Sequence, residues 1–365
     1  MSEATRSEIV RVGIDLAKRV IDAHGVDAAG KLLTRRSLSR AKFLPWCAQL
    51  PPGCVVAMEA CSGAHYWARR LAAMGLQPRL IAAQFVAPYR LQGKSGKNDA
   101  NDAAAVCEAA SRPNMHFVPV KSVEQQGWMA VHRLREGFKQ ERTACINRIR
   151  GLLSEFGLVF PQGSKALRQA LPLALEDGAN ELPAVARYAV QRAQQHWQEL
   201  DEHLAWCDAR IAEHVRSSEA AQQAARLQGI GALGASALVA GVGDLHQFKS
   251  GAQFSAWLGV VPSQHSSGGK VRLGGITKRG DEYLRMLLIR GAKAAVDTAA
   301  KRDDRLSRWL VQLCARVGWQ KAAVALANKN ARILWAILTR GARFDPNHVP
   351  SAPPGPGING AAAPA

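Results

Sequence analysis

The chain has 365 residues, 47% of them hydrophobic, with a formal net charge of +19 and a pI near 10.1. That length holds two domains with a sizeable core and the apolar content excludes wholesale disorder, while the charge calls for a polyanionic partner, nucleic acid first, without separating DNA from RNA. Seven scattered cysteines with no CxxC pair argue for free thiols over a disulfide frame or zinc site, and without an apolar leader or a run of about 18 apolar residues the expectation is a cytoplasmic, nucleoid-associated protein with no membrane partner.

Three strands are predicted first, Ile9–Ala17, Val20–Val26 and Lys31–Arg36, and the run that leads into Asp15, Ile9–Ile14, is short and rich in β-branched residues. A helix near Ala41–Leu50 follows, then a strand through Cys54–Met58, a helix near Ala64–Met74, a strand at Arg79–Ala83 and an alanine-rich helix over Ala100–Ala110. Four acids punctuate these elements. Asp15 ends the first strand in GIDLAK, Glu59 ends the fourth in VVAMEACSG, and Asp99 and Asp102 open the alanine-rich helix in KNDANDA. A spacing of three puts the last two on one helix face, at the positive end of the helix dipole. Carboxylates without Cys or His neighbours suit a hard cation, Mg²⁺ or alternatively Mn²⁺. Any one acid alone is equally a solvated group or a cap. Three strands followed by alternating helix and strand is the order of an α/β, ribonuclease-H-like domain, expected over 8–115.

Beyond Pro113 the periodicity turns helical. Val131, Leu134, Phe138, Cys145, Ile149, Leu152 and Phe156 keep mostly three-and-four spacing, with Arg142 at the missing position. Ala193, Trp197, Leu200, Leu204, Cys207, Ile211 and Val215 keep it more cleanly. Separated by a loop rich in Pro and Gly, the two predict a helical, antiparallel coiled-coil arm over 120–222. The heptad does not say whether each helix packs on the other or on a second copy. Lys139, Arg142, Arg148 and Arg150 make the first helix basic enough to touch a phosphate backbone.

A mostly helical domain is expected over 223–345. Leu227-Gln228-Gly229-Ile230-Gly231 reads either as the hairpin of a helix-hairpin-helix element, with Gly229 and Gly231 letting backbone N–H groups approach a phosphate, or as a plain connecting turn. No strand leads into it, which disfavours a dinucleotide fold. Ser263-Gln264-His265-Ser266-Ser267-Gly268-Gly269-Lys270 then sets hydroxyls on permissive backbone, and Lys270, Arg272, Lys278, Arg279 and Arg285 are candidate nucleic-acid contacts. Serine beside glycine is ordinarily a turn. His265 is either a base or a polar contact. The helix expected over Tyr283–Ala300 exposes Arg285, Arg290 and Lys293, a phosphate-gripping or merely solvated face. Trp309, Trp319 and Trp335 read as core, and 346–365 as a flexible tail.

The GIDLAK, MEACSG and KNDAND segments resemble the N-terminal domain of the bridge-RNA-guided insertion-sequence transposases, relatives of the Piv-type DNA invertases. The resemblance continues through 227–243, 254–262 and 266–285 and covers most of residues 8–345. It implies a RuvC-like DEDD domain in which Asp15, Glu59, Asp99 and Asp102 hold Mg²⁺. It also implies a serine that attacks DNA and becomes a covalent phosphoserine; the matching position is Ser267, directly before Gly268, with Ser266 an adjacent ambiguity. A structured noncoding guide RNA pairing with donor and target DNA is implied too, as is a prokaryotic homo-oligomer, dimer or tetramer, in which acids and serine come from different domains or subunits.

Other classes stay open. A hydrolytic Holliday-junction nuclease needs the acids but not Ser267, and a nonenzymatic nucleic-acid-binding protein needs no metal. A sugar-kinase-like ATPase shares the GID start, but here Leu-Ala-Lys follows Asp15 instead of a Gly-Thr phosphate turn.

Overall fold

The computed structural model describes residues 8–90, 99–267, 270, 272–341, 343–345 and 347. Two compact units emerge, one running to Gln126 and including Val242–Asp244, the other made of Gly127–Gly241 and the chain from Leu245 onward.

The first unit is built on a six-stranded sheet of β1 (Arg11–Leu16), β2 (Val20–Val26), β3 (Leu32–Ser39), β4 (Val55–Glu59), β5 (Gln77–Ile81) and β6 (Phe117–Val118), in the order β3-β2-β1-β4-β5-β6. The first three strands form an antiparallel meander, β4 and β5 lie parallel beside β1, and β6 pairs antiparallel at the edge. The predicted strands are all present. The sequence did not reveal β6, because two residues carry no period. Its helices are α1 (Arg40–Cys47), α2 (Ala64–Ala73), the single turn α3 (Ala83–Val86) and α4 (Asp99–Ala110).

Successive residues of a strand face opposite sides of the sheet, and here both sides are covered. Ile14, Val56 and Met58 join Phe43, Trp67 and Leu71 in one core, whereas Ala57 joins Ile81, Val106 and Ala109 in another. Burial on both faces explains why β1 and β4 read as apolar runs without alternation. Gly13 decides how close α4 comes: a Cβ there would lie 2.1 Å from the Ala103 carbonyl oxygen and 2.5 Å from the Cys107 nitrogen. The small residue in GIDLAK therefore seats the helix directly on the strand.

The second unit contains α5 (Val123–Ser154) from Gly127 onward, α6 (Ser164–Glu176), α7 (Ala184–Ser217), α8 (Glu219–Ala225), α9 (Ala232–Val242), α10 (Gly251–Trp257), a hairpin of β7 (Pro262–Gln264) and β8 (Leu273–Ile276), then α11 (Glu282–Ala299), α12 (Arg305–Val317) and α13 (Trp319–Arg340). Two long helices stand where the heptads predict them, but the loop expected between them holds α6. Its interior Pro172 masked it in the sequence. Leu167 and Leu171 of α6 share one core with Cys145, Ile149 and Leu153 of α5 and with Val190, Trp197 and Leu200 of α7. A third helix shifts the seam. Ile146 and Leu153 are buried, while the predicted seam residues Leu134 and Leu152 are 51% and 44% exposed. Charge follows the same three-helix arrangement, since Asp201 of α7 accepts from both Arg142 of α5 and Arg168 of α6.

Two further expectations change. Trp309, Trp319 and Trp335 are half-buried, not core. Each carries a cation over its ring, Lys329, Lys293 and Arg340 respectively, 4.6 to 5.2 Å from the centroid. Of the three basic residues expected to be exposed on α11 only Arg290 is fully so; Arg285 and Lys293 are half-buried. The tail 346–365 lies outside the described residues except Asn347.

Candidate functional site

Strand parity puts Asp15 on the same face as Gly13, and Glu59 on the same face as Ala57, so both carboxylates point toward the side covered by α4. Parallel pairing aligns Ile14 with Met58, which leaves Asp15 and Glu59 as the next residues on neighbouring strand ends. The Cys61 thiol senses both acids. It is pushed above its ordinary value by desolvation, then by the Glu59 charge and more weakly by Asp15. Asp102 occupies the first turn of α4, the helix that Gly13 admits. Asp99 is the first residue of that helix, and its side chain lies outside the described residues.

Asp102 and Glu59 are joined by a residue the sequence did not single out. Arg90 Nη2 donates to Glu59 Oε1 at 2.5 Å, and Arg90 Nε lies 3.0 Å from Asp102 Oδ1. All three acids that the structure describes are half-buried. Among the described residues no group of three His, Cys, Asp or Glu side chains is placed to hold a metal ion. The donor chemistry is that of a hard-cation site: Asp15 and Glu59 end the neighbouring central strands β1 and β4, and the Glu59 and Asp102 carboxylates already share one cation, Arg90. No single motif marks Arg90, which lies 31 residues from Glu59 and 12 from Asp102.

Ser267 sits in the second unit, at the tip of the β7–β8 hairpin, where it bridges to Lys270 and its carbonyl accepts from the Lys270 N–H at 3.0 Å. The two adjacent serines differ. The Ser266 hydroxyl accepts from Arg272 N–H and from Gln264 Nε2, both at 3.1 Å, so it is part of the hairpin's own bonding. Ser267 is exposed, as are His265, Lys270, Arg272, Lys278 and Arg279. The hairpin's base is locked by backbone: a Cβ on Gly259 would fall 2.0 Å from Arg279 O, and one on Gly280 1.9 Å from Trp257 O. Lys278 between them takes φ 55, a left-handed backbone that non-glycine residues seldom adopt.

The other predicted contacts divide. Gly229 has φ 87, and its turn packs on α11, where a Cβ on Gly291 would meet Gly229 O at 1.9 Å; Asn330 Nδ2 of α13 also donates to Gln228 O at 2.8 Å. Helix packing therefore accounts for Gly229, whereas Gly231 is exposed at the start of α9. Three of the four basic residues expected to make α5 a phosphate contact have internal partners. Lys139 pairs with Glu136, Arg142 with Asp201, and Arg150 donates to the carbonyls of Phe160, Pro161 and Gly163.

A mixed sheet unit bearing Asp15, Glu59 and Asp102 is followed in the same chain by a helical unit with a basic hairpin, and the proteins this chain resembles place it in the transposase class. The sequence matches a family profile described as Transposase over residues 12–158 and one described as Transposase IS116/IS110/IS902 family over residues 221–307. It is 49% identical over 337 residues to a probable family 20 transposase of Pseudomonas aeruginosa, covering 92% of this chain and 98% of the relative. It is 43% identical over 333 residues to the transposase for insertion sequence element IS1111A of Coxiella burnetii, covering 91% of this chain and 90% of that one. With the transposase for insertion sequence element IS1328 of Yersinia enterocolitica it shares 38% over 336 residues, 92% and 98% of the two chains. The chain belongs to the IS116/IS110/IS902 transposase family.

Among the described residues no helix is long and apolar enough to cross a membrane. The seven cysteines are free thiols, and burial pushes Cys47 and Cys54 up to about 12.

Proposed function

We propose that this transposase cleaves, exchanges and rejoins DNA strands through a covalent phosphoserine on Ser267, with Asp15, Glu59, Asp99 and Asp102 as the carboxylate set for Mg²⁺. The observation that carries the reading is the difference between the two serines, one hydroxyl bonded into the hairpin and the other displayed beside exposed cations. The strand order of the sheet and the side shared by Asp15 and Glu59 support its ribonuclease-H-like, RuvC-like assignment.

In the step itself, Ser267 Oγ bonds to phosphorus as the bond to the leaving deoxyribose oxygen breaks, and the serine proton passes to solvent or to that oxygen. The phosphodiester energy is kept in the Ser–O–P bond. A strand hydroxyl then reverses the step, so the outcome is recombination and not hydrolysis. A divalent ion on the carboxylates, when bound, neutralises phosphate charge and stabilises the leaving oxygen. Lys270, Arg272, Lys278 and Arg279 hold backbone phosphates without reading bases. Donor and target selection falls to a structured guide RNA, the bridge RNA of the resemblance, recognised by shape and charge. The protein works as a homo-oligomer.

Denaturing electrophoresis with end-labelled donor DNA tests this. Ser267→Ala removes a protease-sensitive protein–DNA adduct while Ser266→Ala keeps part of it, and Asp15→Asn or Glu59→Gln abolishes cleavage with the fold intact. An adduct of normal yield in Ser267→Ala refutes the nucleophile, and free 5′-phosphate ends with no adduct indicate the hydrolytic nuclease instead.

A further inference from the structure

We propose that Arg90 is a built-in counter-cation that competes with divalent metal for the acidic site, so that metal enters by displacing its guanidinium. The inference rests on the metal reading of Asp15, Glu59, Asp99 and Asp102. Its own observation is the bridge from Arg90 to Glu59 at 2.5 Å and to Asp102 at 3.0 Å, oxygens that a hard ion at this site would need.

The surroundings suit a group that holds and then leaves. The backbone of Arg90 is anchored: its N–H donates to Ala87 O at 3.2 Å, Val86 is buried, and Tyr89 packs into the core that α4 covers. The side chain is 39% exposed against 19% for Glu59 and 21% for Asp102, and its Nε, though close to Asp102, is buried without a hydrogen-bond partner among the described residues, so one of its donors is unsatisfied where it stands. The guanidinium occupies carboxylate oxygens that an entering cation needs, so competition is its route of release. Without a cation, half-buried carboxylates converging on one site repel one another, and Arg90 offsets that repulsion until an ion replaces it.

This makes a signed prediction. If Arg90 merely organises the acids, removing it weakens metal binding. If it competes, removing it strengthens binding. Isothermal titration of full-length protein with Mn²⁺, without nucleic acid, reads the difference in wild type, Arg90→Ala, Arg90→Gln and Arg90→Lys, with Asp15→Asn as the metal control and thermal melts to establish folding. Arg90→Ala and Arg90→Gln are expected to bind Mn²⁺ about two- to fivefold more tightly than wild type, the range of a partly exposed ion pair. Arg90→Lys, which keeps the charge but not the planar guanidinium, should fall between them and wild type. Should Arg90→Ala misfold, Arg90→Gln carries the test. Equal or weaker binding in these variants, with binding still lost in Asp15→Asn, overturns the role of Arg90 alone. No saturable binding in any protein overturns it together with the metal reading.

Discussion

The acidic site and the serine hairpin are both small constellations, yet they are held in opposite ways. Asp15, Glu59 and Asp102 each leave a regular element whose neighbours are buried, and α4 lies on β1 with no room for a methyl group at Gly13. The hairpin has two short strands, exposed side chains from Gln264 to Ser267, and a lock only at its base, where Gly259 and Gly280 interleave with backbone. A carboxylate set for metal must be placed to a fraction of an ångström, and rigid elements supply that. The proposed nucleophile, Ser267, is on the less constrained element, which is where loops ordinarily carry function.

The sharpest way to break this contrast is to add one methyl group on each side. Gly13→Ala forces α4 off β1, since the two nearest atoms it meets are backbone and the third is Cys107 Cβ at 2.6 Å. A loss of about 3 kcal/mol or more is expected from such overpacking, together with loss of metal binding. Gly280→Ala adds a clash with Trp257 O at a φ of 101, and should unseat the hairpin and remove the serine adduct while leaving the sheet intact. Hydrogen exchange decides the matter: protection should be lost in β1 and α4 for the first variant, and over 259–280 only for the second. Matching exchange maps for the two variants would show that the constellations are not independently held.

Acid provides a second comparison, because each unit holds a histidine that burial keeps neutral. His65 accepts from Lys121 N–H at Nδ1, and burial, then Lys121 and Arg69, lower it to about 4. His132 lies between Tyr283 OH at 3.1 Å and Ser236 Oγ at 2.8 Å, with His214 Nδ1 on the same serine at 2.7 Å; burial, then His214, lowers it to about 4. Both folded values lie below the unfolded 6.5, so the unfolded chain binds protons that the native chain refuses. Stability is therefore complete above pH 6.5 and declines as pH falls toward 4, by on the order of 2 to 3 kcal/mol for fully buried His132. Urea unfolding at several pH values should show His132→Gln flattening this slope by about one proton. An unchanged slope would assign the acid sensitivity elsewhere.

What was legible in the sequence follows the same divide. Strand ends and the alanine-rich helix announce themselves by local period, and that period alone assigns Asp15, Glu59 and Asp102 to their elements. It does not assign Arg90, whose role depends on two partners 31 and 12 residues away, brought near by the fold. Gly13 is visible as a motif residue, but its reason, the approach of α4, is tertiary. The arm is legible as two helices and their predicted seam is buried or half-buried, Leu134 and Leu152 excepted, but α6 with its Pro172 adds a face to that core that heptad spacing on α5 and α7 cannot reveal. Choosing between Ser266 and Ser267 needs hydrogen bonds that adjacent identical residues cannot display.

The smallest expected effect separates cations that serve the fold from cations free for phosphate. On the arm, Lys139, Arg142 and Arg150 are engaged by Glu136, by Asp201 and by three carbonyls, so neutralising them removes internal contacts. On the hairpin and just after it, Lys270, Arg272, Lys278 and Arg279 are exposed, and among the described residues no carboxylate pairs with them. Every phosphate that a cation neutralises releases counterions, so each lost contact should lower the log–log salt slope of duplex DNA binding by about 0.9. Single Lys270→Gln, Arg272→Gln, Lys278→Gln and Arg279→Gln variants should each reduce the slope, with little change in urea midpoint. Arg142→Gln should do the reverse, lowering the midpoint while the slope stays put. Fluorescence anisotropy across several salt concentrations, beside urea titrations of the same proteins, measures both quantities; slopes that fall equally for arm and hairpin variants would return the arm to the nucleic-acid surface.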